Sequence, residues 1–195
     1  RFKTSSKHLI LASKYFERRL SNRWPEGDIL ESRGTVQLEL PDTDLDAFKI
    51  ILDLIHGRTN AVPRTVDLAQ LTELTVLTDY FGCLEALGLF PSSWINGLKD
   101  DIPTTYCRDL MKWIFISCVF EQKEILSGVT QVAQRQSKDV LDPLDLPIPQ
   151  NIQDRINDTR IEALSGIFKA LNDRREELEN KTICSFECDS SKLGD

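Results

Sequence analysis

Gly34-Thr35-Val36-Gln37-Leu38-Glu39-Leu40-Pro41 is the stretch that decides the fold class. Val36, Leu38 and Leu40 alternate with polar residues, a period that puts the three apolar side chains on one face of an extended chain. That is the pattern of a half-buried strand. Pro41 ends it, because proline has no N–H to give a ladder.

Helical patterns flank this strand on both sides. Before it, residues 7–20 carry Leu9, Ile10, Leu11, Tyr15, Phe16 and Leu20, which predicts a short pair of helices. After it, Asp42-Thr43-Asp44 offers capping oxygens, and Leu45, Phe48, Ile51, Leu52 and Ile55 form one apolar face. Gly57 closes that helix. Beyond Pro63 the helical period resumes through Leu68, Leu71, Leu74, Val76, Leu77 and Tyr80, Gly82 interrupts it, and a short helix runs over residues 83–90 before Pro91. Residues 92–136 are helical, with Leu110, Trp113, Ile114, Ile116, Cys118 and Val119 nearly continuous, as in a helix buried on most sides. A linker-like stretch, residues 138–150, holds Pro143, Pro147 and Pro149. Residues 151–180 then form an amphipathic helix with a stripe of Ile152, Ile156, Ile161, Leu164, Ile167, Phe168, Leu171 and Leu178. The stripe fits either packing on the chain's own core or meeting another chain. Residues 181–195 show no clear period.

The expected architecture is therefore α+β: a small sheet against a helical cluster over residues 1–91, and an α-helical extension over residues 92–195. Chain length suits one large domain, or a small one with a helical extension. A net charge of −7 argues against a nucleic-acid surface. The basic clusters at residues 14–19 and at Arg174-Arg175 have acidic neighbours and read as solvated faces. No apolar run approaches the ~18–20 residues of a membrane span, and no secretory signal is visible. Five scattered cysteines (Cys83, Cys107, Cys118, Cys184 and Cys188) suit free thiols in a reducing compartment, so an intracellular site, cytoplasmic or nuclear, is expected. The glycosylation-type triplets at Asn157 and Asn180 lie in helix-like sequence and carry no meaning without a secretory context.

Candidates for chemistry are few. The two histidines, His8 and His56, sit in helical patterns beside large apolar residues and read as structural. There is no Gly-rich phosphate loop, nucleophile elbow or paired-histidine zinc helix. Asp42-x-Asp44-x-Asp46 opens like a calcium loop, but Ala47 and Asp53 stand where that loop needs glycine and glutamate. Cys184-x-x-x-Cys188 lacks a second ligand pair. Cys83 follows Gly82 at a helix start, where a thiol pKa can fall, yet no base accompanies it. No metal and no cofactor is expected. An enzyme or metal-binding regulator would instead need His8, Cys83 and acidic residues to share one deep pocket.

Five landmarks in order carry a family resemblance. Phe2-Lys3-Thr4, followed by Leu9-Ile10-Leu11-Ala12-Ser13-Lys14-Tyr15-Phe16, resembles the strand and helical turn that open a BTB/POZ domain. Residues 36–40 resemble the family's third strand, and Ala47-Phe48 through Leu54-Ile55-His56-Gly57 resembles the helix after it. Residues 68–90, with Thr78-Asp79-Tyr80, resemble the closing helical hairpin. The wording of residues 5–13 and of Ile55-His56-Gly57-Arg58-Thr59 is similar to that of filamentous-fungal BTB proteins. The resemblance covers residues 1–90. It departs at Ser5, where the family has histidine, and at Lys14, where it has proline; the family's first strand would precede Arg1.

The resemblance implies a non-catalytic protein–protein interaction module that homodimerises and scaffolds. It also implies an alternative, a substrate adaptor for a cullin ubiquitin ligase, in which residues 92–136 enlarge the scaffold contact. Cullin-binding members carry a hydrophobic residue, any residue, then glutamate after the Tyr-Phe helix, and Trp24-Pro25-Glu26 fits that spacing. The partner-binding candidates are thus Trp24, Glu26, Tyr15 and Phe16. An exposed indole fills apolar pockets well, and a carboxylate accepts hydrogen bonds. The same three residues are also compatible with Trp24 packed on its own chain and a simple proline turn.

Overall fold

The computed structural model describes residues 1–40 and 42–180. Nine α-helices lie among them: α1 (Ser6–Ala12), α2 (Lys14–Arg19), α3 (Pro25–Arg33), α4 (Leu45–Ile55), α5 (Leu68–Phe81), α6 (Phe90–Gly97), α7 (Arg108–Val119), α8 (Lys123–Gln136) and α9 (Gln150–Asn180). Among the described residues there is no strand and no sheet. The α+β expectation is overturned, and the architecture is all-helical.

Residues 35–40 are outside any helix, and Val36, Leu38 and Leu40 lean on the core while Thr35, Gln37 and Glu39 face outward. The alternation therefore records one-sided burial of an extended chain on helices. A strand also needs a neighbour whose backbone completes its ladder, and periodicity carries no information about that neighbour. No ladder partner stands beside it among the described residues. Residues 1–4 are also irregular, and a recess of about 730 Å³ lies between them and residues 35–40. Pro41, the expected terminator, lies outside the described residues.

The helices form where capping and burial coincide. Asp44 accepts the Ala47 N–H at 2.7 Å to start α4, and Asp67 accepts the Gln70 N–H at 2.7 Å to start α5. Gly57 and Gly82 follow these helices with φ of +70° and +58°, left-handed values that glycine adopts without steric cost. Asp53, buried on α4, is held by Lys49 at 3.0 Å and Arg58 at 3.3 Å. In α5, Thr72, Thr75 and Thr78 each donate to the carbonyl four residues back, at 2.6–2.7 Å, which satisfies hydroxyls that face the interior.

α7 is the centre of the core. Leu110, Met111 and Trp113 through Ser117 are buried, and the helix packs on α5 and α8. Trp94 of α6 donates its indole N–H to the Pro63 carbonyl at 2.9 Å. One continuous apolar core runs from Leu9 and Phe16 to Ile156. Pro91 lies in the first turn of α6, where the missing N–H costs nothing, so it begins a helix instead of closing one. Residues 84–87 form only a 3-10 turn.

The proline-rich stretch is a strap. Leu141 and Ile148 are buried, and with Pro143 they close over Met111, Ile114 and Ile156. Arg160 fastens it by donating to the Ser137 hydroxyl at 2.9 Å and to the Asp139 carbonyl. Only the start of α9 shares this packing. From Ile161 through Glu177 every residue is exposed. Among the described residues no helix is long and apolar enough to cross a membrane.

Candidate docking site at the α2–α5 edge

Ser13 builds the edge. Its hydroxyl caps α2 by accepting the Phe16 N–H at 3.3 Å, and it donates to the Phe81 carbonyl at 2.6 Å. One side chain thereby starts α2 and ties it to the end of α5. Gly82 lies close beneath: a Cβ there would meet the Lys14 Cβ at 3.4 Å. Phe16, one of the expected partner-contact residues, points inward, is 2% exposed and stacks on Phe81 at 5.1 Å. It supports the edge from below and does not reach the surface.

Tyr15 does reach it. Its ring meets Phe81 edge-on at 5.3 Å and lies tilted against Tyr80 at 5.2 Å, separations at which aromatic pairs attract. Arg19, one turn along α2, hydrogen-bonds to the Tyr15 hydroxyl and places its guanidinium carbon 5.7 Å from the centre of that ring. Arg19 also pairs with Glu26, at 3.1 Å through Nη2 and 3.3 Å through Nε. The Tyr15 hydroxyl and Glu26 raise the Arg19 pKa further, so this cation is permanent. Hydrogen bonding to the Tyr15 hydroxyl raises the Tyr80 phenol, and desolvation raises the Asp79 carboxyl.

A helix with no forecast in the sequence presents Trp24. Trp24 is the N-cap of α3 and Pro25 occupies its first turn. The turn works only with glycine at residue 27: a Cβ there would sit 1.9 Å from the Ser21 carbonyl oxygen. Trp24, at the start of this turn, is 55% exposed. The other two tryptophans, Trp94 and Trp113, are essentially fully buried.

Tyr15, Arg19, Trp24, Glu26 and Tyr80 line one recess of about 650 Å³, with Lys14 and Arg18 on its cationic rim. Three of the four candidates, Tyr15, Trp24 and Glu26, are brought together. Tyr80 was read only as part of a helical hairpin and Arg19 only as part of a solvated basic face, although the four-residue spacing of Tyr15 and Arg19 on a helix is a readable contact. Chemically, the recess offers aromatic faces, an indole, and three cations (Lys14, Arg18 and Arg19) against two carboxylates, Glu26 paired with Arg19 and Asp79. That combination suits a partner's apolar or aromatic side chain with acidic neighbours.

The residues of the enzyme alternative lie apart. His8 stacks on His56 at 5.1 Å, across the contact between α1 and α4. His56 is fixed there by the Leu52 carbonyl at 2.8 Å and the Ser5 N–H at 3.1 Å. Cys83 is buried past the end of α5, and burial pushes its thiol up to about 12. Among the described residues no group of three His, Cys, Asp or Glu could hold a metal ion. Cys184 and Cys188 lie outside the described residues. No family model matches this chain, and neither does any curated protein or solved structure.

Proposed function

We propose that the chain is a non-catalytic protein–protein interaction module, similar in its helical segments to a BTB/POZ domain but without that family's sheet among the described residues, which self-associates and scaffolds other proteins in a reducing intracellular compartment. The supporting observation is the recess at the α2–α5 edge. Exposed tryptophan and tyrosine beside arginine is the composition of docking hot spots, and the Ser13 and Arg19 contacts hold the tyrosine and arginine in place before a partner arrives. Light scattering on the purified chain tests self-association. A mass near twice 22.3 kDa is expected, and 22.3 kDa at every concentration would remove that part of the reading.

One observation favours a second reading, the cullin adaptor: Trp24 and Glu26 border the same recess. Glu26 is already tied to Arg19, so Trp24 carries most of this proposal. Titration of a purified cullin N-terminal fragment, followed by tryptophan emission, separates the two readings. Trp24 is the indole that a partner can cover, since Trp94 and Trp113 are buried. Adaptor work predicts a shift of Trp24 emission to shorter wavelength and at least tenfold weaker binding by Trp24→Ala. An unchanged emission spectrum and no binding would leave the scaffold reading alone.

A further inference from the structure

We propose that the distal part of α9 pairs in parallel with α9 of a second copy of this chain, as a short two-stranded coiled coil. The inference rests on the self-association reading above and gives it a surface. Ile161, Leu164, Phe168 and Leu171 follow one another at steps of three, four and three, and Arg175 and Leu178 continue the same rhythm. These are the a and d places of a heptad, with Ile161, Phe168 and Arg175 at a and Leu164, Leu171 and Leu178 at d. Ile167 flanks the seam. The opposite face carries Glu162, Lys169, Asp173 and Glu176, as a solvent face should.

Nothing among the described residues covers this seam. Ile161, Leu164, Phe168 and Leu171 are 49–64% exposed, on a segment with every residue in solvent from Ile161 through Glu177. A helical segment of that length is marginal in water by itself and gains its stability from burying an apolar face. The root of α9 is fixed on the body through Ile156 and the Arg160–Ser137 bond, which supplies the helical nucleus from which the distal part projects.

Charge and area both select a second copy. In a parallel in-register pair, each flanking g residue faces the e residue of its neighbour five positions on. That rule sets Arg174 opposite Glu179 of the second copy, twice over by symmetry. The parallel pair also sets Arg175 against Arg175 of the second copy at an a place, where a single polar residue costs stability and fixes the register. Within the single chain Arg174 reaches Glu177 at 2.9 Å and Arg175 reaches Glu179 at 3.5 Å, exposed pairs that exchange at little cost. Covering the stripe on both copies removes roughly 1,000 Å² from water, about the smallest area of a specific interface.

Light scattering on the full chain and three variants tests the proposal. The wild type is expected near twice 22.3 kDa at high micromolar concentration. Leu164→Asp with Leu171→Asp is expected to be monomeric with an unchanged melting curve below the dimer transition, because both side chains are in solvent. Arg174→Glu is expected to weaken the dimer about tenfold, and Arg174→Glu with Glu179→Arg to restore it. A wild-type monomer at all concentrations overturns both this proposal and the self-association reading. A wild-type dimer that survives the double aspartate variant overturns the α9 assignment alone. A dimer lost in that variant but not restored by the charge swap overturns the parallel pairing.

Discussion

α7 and the distal half of α9 are both helices with large apolar residues at helical spacing, and they meet opposite fates. α7 is enclosed by α5 and α8, with Trp113 and Phe115 fully buried. Residues 161–177 of α9 leave Ile161, Leu164, Phe168 and Leu171 in solvent. The apolar content of a helix thus does not decide its burial; the presence of a facing surface does. α7 finds that surface within the chain, whereas residues 161–177 of α9 meet none among the described residues. The α2–α5 edge lies between these extremes, with Phe16 and Phe81 buried beneath and Tyr15, Tyr80 and Trp24 left open to a partner.

The sharpest contrast between closed interior and open surface is chemical. With its thiol pushed up to about 12, Cys83 holds on the order of one thiolate in 10⁴ at pH 8. Cys107 is exposed. Peptide mapping after brief alkylation is expected to show Cys107 modified at least a hundredfold faster, and comparable rates would mean that the core around Cys83 opens readily.

In stability, Trp113→Ala opens a cavity at the centre and is expected to cost about 3–5 kcal/mol by denaturant titration. Gly27→Ala forces a side chain into the Ser21 carbonyl, at a cost of about 1–3 kcal/mol. Ser13→Ala removes a cap and the tie to Phe81, about 1–2 kcal/mol. Smallest of all, Leu164→Ala is expected to change monomer stability by less than about 0.5 kcal/mol. A loss there as large as at Trp113 would show that α9 is packed within its own chain.

Much of the helical layout was legible, because capping and periodicity are local. Asp44, Phe48, Ile51, Leu52 and Ile55 of α4, Gly57 and Gly82 act as their residue types suggest, while Leu45, expected on the same apolar face, is exposed because it lies in the first turn of the helix. The sheet was misread at Val36, Leu38 and Leu40, since alternation reports an extended chain with one buried face and says nothing of a neighbouring strand. α3 escaped notice because its weakly amphipathic run, residues 25–33, gives no stripe, and its anchor is the space at Gly27. The site was half readable. Tyr15, Trp24 and Glu26 have suggestive types and spacing, while Tyr80 joins them only through the tertiary meeting of α2 and α5. Phe16 looked equivalent to its neighbour Tyr15, but adjacent residues on a helix point about 100° apart, and one of the pair must face the core.

Hydrogen exchange on the full chain, compared at about 1 µM and about 100 µM, tests most directly whether another copy completes this surface. α7 amides are expected to exchange slowly and equally at both concentrations, whereas amides of residues 161–177 should slow at least tenfold in the concentrated sample. Exchange in α9 that is fast at both concentrations, or slow at both, would contradict a surface finished by a second copy.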